Sequence, residues 1–310
     1  MPQARPGGTV RQRNTVFPLI LLVALLFPGL ISAATVVDQA GRTVSIPHAP
    51  KRIVALAPSL AEIVFDLGQG ARLVGATQFS DYPAEAKSLP RVGSYVRLDL
   101  ERIVALKPDL CLGIRDGNPK HQVEKIEAAG IPVYIIDPRD IKGIMEAIQG
   151  VGGVLGAQAR AEAIVADMSG RIAKVRQQVA ATHSRPRVFF QLYSPPIVTA
   201  GTRTFIHELI TIAGGVNLGA GPVDYPRLSW EKILSLDPEV VVVTAMGGKQ
   251  KPEQLKAQWQ QWPQLSAVRS GRVHVVDDNL FDRPTPRLIN GMVALLRILH
   301  PELFGAAHAQ

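Results

Sequence analysis

Arg102-Ile-Val-Ala-Leu-Lys-Pro-Asp-Leu-Cys-Leu-Gly113 and Glu231-Lys-Ile-Leu-Ser-Leu-Asp-Pro-Glu-Val-Val-Val-Val-Thr244 follow one pattern: an apolar helical run, a proline, an acid and an apolar strand. The pattern occurs once in each half of the 310-residue chain, with a long helical stretch between the copies. Two similar α/β lobes joined by a spacer leave a cleft, and clefts of that kind hold ligands.

Around the first copy, Val36-Val37, a turn at Asp38-Gln-Ala-Gly41 and Thr43-Val-Ser-Ile46 read as a small hairpin. Arg52-Ile-Val-Ala-Leu56 is a buried strand, and Leu60, Ile63, Val64 and Leu67 form one helix face after Pro58-Ser59, closed by Gly68. A short helix over Leu98 to Leu106 begins at Asp99, and a strand follows over Asp109 to Leu112. A helix over Lys120 to Ala129 ends at Gly130, before a strand over Val133 to Ile136. Strands alternating with helices predict a parallel sheet covered on both faces.

The second half repeats the alternation. Arg187 to Leu192, Val240 to Thr244 and Val273 to Val276 read as strands. Helices are predicted over Thr204 to Ala213, over Trp230 to Leu236 with Ser229 as cap, over Gln254 to Gln261, and over Leu288 to Leu299 after Pro284 and Pro286. Between the halves, after Gly150-Val-Gly-Gly-Val-Leu-Gly156, the segment Ala157 to Ala181 places Ala161, Ile164, Val165, Met168, Ile172, Val175 and Val179 on one helical face. At about 1.5 Å per residue it makes a rod of roughly 38 Å, long enough to cross from lobe to lobe. The plainer reading is a surface helix within one domain. The predicted fold class is α/β, two Rossmann-like three-layer lobes joined by a long rigid backbone helix, with the ligand cleft between the lobes. The expected divisions are a first lobe over 35–156, the connecting helix over 157–182 and a second lobe over 183–310.

Residues 1–34 read as a cleaved secretory signal peptide. Arg5, Arg11 and Arg13 form a basic leader, Val16 to Leu26 is almost wholly apolar, and Ser32-Ala33-Ala34 supplies small residues at the cleavage site. The apolar run is shorter than the roughly 20 residues of a membrane span. Losing the three arginines lowers the formal charge from +8 to +5, and no basic block points to nucleic acid. Cys111 is the only cysteine, so no internal disulfide is expected, and its apolar strand predicts burial and a slowly reacting thiol.

Catalytic motifs are not found. His48, His121, His183, His207, His274, His300 and His308 are scattered without metal-ligand spacing, and His207 beside Glu208 reads as helix packing or surface. Gly150 to Gly156 and Gly247-Gly248 lack the spacing and the Lys-Ser/Thr that would cradle phosphate. The chain is not expected to be an enzyme and no catalytic cofactor is expected.

Six stretches, in order across both lobes, carry a resemblance: Arg52-Ile-Val-Ala-Leu-Ala-Pro-Ser59, Phe79-Ser-Asp-Tyr-Pro83, Leu100-Glu-Arg-Ile-Val-Ala-Leu-Lys-Pro-Asp109, Gly113-Ile-Arg-Asp-Gly-Asn118, Ser229-Trp-Glu-Lys-Ile-Leu234 and Phe281-Asp-Arg-Pro-Thr-Pro-Arg287. The chain resembles the periplasmic substrate-binding proteins of the long-helix-backbone class, specifically the vitamin B12-binding members that serve bacterial cobalamin importers. The resemblance implies a periplasmic protein, expected to be monomeric, that captures cobalamin or cobinamide and hands it to the transmembrane permease of an ABC importer. Haem or a ferric siderophore carried by the same fold is the alternative. Only a modest lobe closure is expected when a helix fixes the lobes.

The cleft lining is expected from strand-end loops. Candidate ligand contacts are Ser59, Phe79, Tyr82, Ile114, Arg115 and Asn118 on the first lobe and Tyr193, Tyr225, Phe281 and Arg283 on the second. A corrinoid is a broad, partly apolar plate edged with amides, so aromatic surfaces and a few orienting donors suit it. Tyr82 and Phe281 can also simply pack their loops, and Arg115 can pair with Asp116 or Asp81. The resemblance ranks Tyr225 and Arg283 first, at family contact positions; replacing either is expected to leave the fold intact. A family tryptophan on the first lobe falls on Ile114 here. For docking, the resemblance puts a surface glutamate of the second lobe at Glu231, whose first-turn position also suits simple helix-dipole stabilisation. The matching first-lobe position falls on Lys120, a reversed charge: either Glu124 or Glu127 takes the role, or the permease carries a compensating acid at that contact.

Overall fold

The computed structural model describes residues 1–4, 7, 33–244 and 251–305. The leader therefore lies almost wholly outside the described residues, as do Gly247-Gly248 and His308. The chain opens with a hairpin of β1 (Ala33–Val37) and β2 (Thr43–Pro47). The first lobe then runs β3 (Ile53–Ala55), α1 (Pro58–Asp66), β4 (Leu73–Ala76), α2 (Leu100–Ala105), β5 (Leu110–Ile114), α3 (Lys120–Ala128) and β6 (Val133–Ile136). Its parallel sheet has the order β4-β3-β5-β6. After α4 (Ile141–Val154) and the 23-residue α5 (Gln158–Ala180), the second lobe supplies β7 (Arg187–Gln191), α6 (Phe205–Ile212), β8 (Val216–Asn217), α7 (Trp230–Leu236), β9 (Val240–Val243), α8 (Pro252–Gln260), β10 (Val273–Val275) and α9 (Leu288–Leu299). Its sheet order is β8-β7-β9-β10, the same permutation as in the first lobe.

The repeated motif works the same way in both lobes. Lys107 and Asp237 take left-handed backbone angles, φ 46° and 41°, which end the helix before each proline. The acid after the proline then fastens the neighbouring strand: Asp109 accepts from the Lys51 and Arg52 amides at 2.8 and 3.0 Å, and Glu239 accepts from the Arg187 amide at 2.8 Å. Asp99 and Ser229 cap their helices as expected.

Alternation along each strand sorts side chains into layers. Ile53 and Ala55 face one core and Val54 the opposite one, with Ile103, Val123 and Ile126 of the outer helices. In the second lobe Val188 and Phe190 face inward while Phe189 packs outward on Trp259, ring centroids 5.5 Å apart. The inward faces of both sheets, α1, α4, α5 and α9 share one continuous apolar core. Ile164, Met168, Ile172, Val175 and Val179 place the long helix within that core, so it joins the lobes by packing as well as by chain connection.

One helix departs from the reading of the sequence. No element is predicted over the glycine-rich stretch Gly150 to Gly156, yet Gly150, Gly152 and Gly153 lie inside α4. Gly150 and Gly152 serve close approach: a Cβ at Gly150 would strike the Tyr134 hydroxyl, and one at Gly152 would come within 2.6 Å of Ala161 on α5. Asp140 caps this helix, accepting from the Gly143 amide at 2.6 Å.

Cys111 is fully buried in β5, and burial holds its thiol pKa well above the ordinary value. Native protein is expected to react with a thiol reagent far more slowly than unfolded protein; equal rates would contradict the packing. Among the described residues, no helix is long and apolar enough to cross a membrane.

Candidate functional site

In both sheets the first and third strands lie side by side, so the connections leave in opposite directions and open a crevice at the strands' carboxyl ends. The two crevices form one cavity of about 1040 Å³ between the lobes. The loop after β3 brings Ala57, Pro58 and Ser59 to its wall, and the loop after β5 brings Ile114 and Asp116. Leu192 and Tyr193 follow β7, while Asp278, Phe281 and Arg283 come from the segment after β10. A smaller depression of about 380 Å³, at the edge strand β10 and lined by His274 and Lys256, is separate from this cavity.

Seven expected contacts line the cavity: Ser59, Phe79, Ile114, Tyr193, Tyr225, Phe281 and Arg283. Phe79, Tyr193 and Tyr225 keep 44%, 45% and 42% of their surface exposed, so their rings are available to a ligand. Phe281 is buried against Phe190, centroids 5.5 Å apart, and forms a floor. Tyr225 packs its phenol beside Asp116 and Asp224 despite its exposed ring; burial first, then those carboxylates, push its pKa up to about 12. The hydroxyl stays protonated and able to donate. Burial, with Asp278 beside it, raises the Asp282 carboxyl well above the usual range.

Three expected contacts stand elsewhere. Asn118 is buried and holds the loop instead of facing the cavity: its carbonyl accepts from the Ile114 amide, and its amide donates to the Leu56 and Tyr95 carbonyls, all at 2.8 Å. Both N–H groups are thereby used. Arg115 points to Asp137 at 3.2 Å, not to Asp116 or Asp81. Tyr82 lies under the Arg287 guanidinium, 3.6 Å from ring centroid to Cζ.

Arg283 also differs from expectation. It reaches from the second lobe to Glu62 on α1 at 2.6 Å and to Asp81 at 2.8 Å, and donates to the Phe79 carbonyl at 3.1 Å. Arg287 completes the cluster, donating to both Glu62 oxygens at 2.9 Å. Glu62 is buried, so these bonds tie the lobes together beside the cavity floor. Substituting Arg283 therefore disturbs the joint between the lobes as well as the wall, which revises the expectation of an intact fold. A second tie runs from the Ile141 amide at the start of α4 to Glu208 on α6, at 2.7 Å.

The wall also contains residues not singled out from the sequence. Tyr95 and Val96 come from a two-stranded turn over residues 93–98, Pro138 and Arg139 follow β6, and Arg203, Phe205 and Ile206 precede or begin α6. The strand-end rule that found the other loops applies equally after β6. Arg203 and Ile206 had no such signal, because a helix start reaches the cleft only through the tertiary packing.

A two-lobed α/β protein with a cavity at paired sheet ends is a solute-binding protein by architecture, and the comparisons agree. The sequence pattern of the periplasmic binding protein family matches residues 53–280, and the chain belongs to that family. It is 32% identical over 246 residues to the vitamin B12-binding protein of Photorhabdus laumondii, covering 79% of this chain and 86% of that one. Among solved structures, the periplasmic vitamin B12 binding protein of Vibrio cholerae superposes with a TM-score of 0.73 at 28% identity, over 84% of this chain and all (100%) of the other. A periplasmic heme binding protein from Pseudomonas aeruginosa superposes with 0.75 at 28% identity, over 81% and 93%. The protein is thus a periplasmic binding protein and not an enzyme.

Proposed function

We propose that this protein captures cobalamin or a related corrinoid in the interlobe cavity and delivers it to the permease of an ABC importer, after export and removal of residues 1–34. The observation that carries the reading is the cavity itself: about 1040 Å³, at the top of the range for small-molecule sites, with apolar faces from both lobes. A bare metal ion or small oxyanion needs far less space. Tyr193 and Tyr225 on one side and Phe79 and Ile114 on the other suit a broad plate, and isoleucine supplies apolar contact without a ring. A haem carrier needs an axial ligand; among the described residues no histidine is on this wall and Tyr225 is held protonated, which leaves Tyr193 and Tyr95 as the phenols a haem iron would have to use.

Absorption spectra and calorimetric titration with cyanocobalamin, cobinamide and haemin test the reading. Saturable corrinoid binding is the expected result, and tight haemin binding with no corrinoid heat would reverse it. Tyr225→Ala is expected to cost about 1–3 kcal/mol of corrinoid binding through lost contact area; unchanged affinity would move the ligand off this wall.

Docking is proposed at the lobe tips. Glu231 is fully exposed at the first turn of α7, and its carboxyl pKa is lowered by hydrogen bonding with Ser229 and its own backbone amide. On the first lobe Lys120 is exposed and 3.7 Å from Glu124, while Glu127 is engaged with Arg42 at 2.9 Å. Among these, Glu124 is the acid open to a permease arginine. Charge reversal, Glu231→Arg, is expected to impair transport by the cognate permease with little change in ligand affinity; full transport would reject the docking role.

A further inference from the structure

We propose that one corner of the cavity screens ligands by charge, admitting an amide-edged ligand and refusing a carboxylate-edged one, with Asp224 as the deciding residue and Asp116 as its support. The proposal rests on the corrinoid reading of the same site. Asp116, Asp137 and Arg139 reach the corner from the first lobe, and Arg203 and Asp224 from the second; all five line the cavity. Arg139 lies 3.2 Å from Asp137, 3.5 Å from Asp224 and 3.8 Å from Asp116. Arg203 donates to Asp224 at 2.9 Å and to the Pro222 carbonyl at 2.9 Å.

Both guanidiniums are thus already paired, and with Arg115 on Asp137 at 3.2 Å the three arginines here are matched by the carboxylates of Asp116, Asp137 and Asp224. Arg283, the remaining wall arginine, is committed to Glu62 and Asp81. A ligand carboxylate entering this corner meets these carboxylates and, among the described residues that line it, no unpaired guanidinium. An amide edge meets acceptors for its N–H groups and N–H donors for its carbonyl, and carries no charge to be repelled. Asp224 matters most because it is the partner shared by two arginines from different lobes. Its replacement by asparagine frees Arg203 and loosens Arg139, and a guanidinium without a partner takes a carboxylate in bidentate fashion.

The test uses wild type, Asp224→Asn and Asp116→Asn, titrated calorimetrically with cyanocobalamin, its monocarboxylic acid derivatives and haemin. Wild type is expected to prefer the amide ligand over the acids. The acid-to-amide affinity ratio is expected to rise about tenfold in Asp224→Asn and less in Asp116→Asn, a gain that shrinks at high salt because Arg139 and Arg203 are partly exposed. Equal wild-type affinity for cyanocobalamin and its acids overturns the filter and leaves the corrinoid reading standing, and so does an unchanged ratio in a folded Asp224→Asn protein. Wild type that binds haemin and no cyanocobalamin overturns both.

Discussion

Glu62→Ala is expected to cost about 3–5 kcal/mol of folding stability, the range seen when one partner of a buried ion pair is removed. Glu62 is inaccessible to solvent and is shared by Arg283 at 2.6 Å and Arg287 at 2.9 Å, whose side chains are only 14% and 15% exposed. Asp81 remains for Arg283, but it is half exposed, and Arg287 keeps its stacking on Tyr82 and the more distant charge of Asp66. The change also cuts a tie between the lobes, so it loosens the shared core from one flank. Asp66, one turn along α1, sets a pH dependence. Burial first and Glu62 second push its carboxyl up to about 6, from 3.8. A carboxyl raised in the folded state favours folding below the unfolded value and opposes it as pH rises through the folded one. Removing Glu62 relieves Asp66 only where Asp66 is ionised, so the net loss is expected to be larger below pH about 6 than above it. Urea denaturation on either side of that pH measures both effects; a loss under about 1 kcal/mol would mean the cluster is solvated and not a strut.

Gly201→Ala is expected to weaken ligand binding by about a hundredfold, near 3 kcal/mol. Gly201 passes directly under the loop that carries Asp224 and Tyr225: its amide donates to the Asp224 carbonyl at 2.7 Å. A Cβ there would occupy the position of the Val223 carbonyl. Backbone cannot yield as a side-chain tip can, so the loop must lift, taking one ring surface and the charged corner away from the ligand. Affinity within about threefold of wild type would show that the loop's position does not govern binding.

These two residues show where the sequence is readable and where it is not. The repeat was legible because its signals are local: a helix run, a proline and an acid each act on neighbours in the chain. Strand alternation and the caps at Asp99 and Ser229 are local for the same reason. Helix α4 was not read because Gly150 and Gly152 look like breakers until Tyr134 and α5 are in place to need the space. The cavity's loops followed from the strand-end rule, but roles within it did not. Arg283 and Glu62 are 221 residues apart, and no local pattern announces that pairing. Asn118 likewise looks like a loop-tip donor until Leu56 and Tyr95 take its amide. Side-chain chemistry names candidates, whereas the lobe packing decides which of them face the ligand.

A crystal structure of the protein with cyanocobalamin tests the central claim most directly. The account predicts one corrin plate between the lobes, with Phe79 and Ile114 on one side, Tyr193 and Tyr225 on the other, and its amide edge at Asp224 and Arg139. Corrinoid density outside the cleft, or a saturated protein whose cleft stays free of it, would contradict that claim.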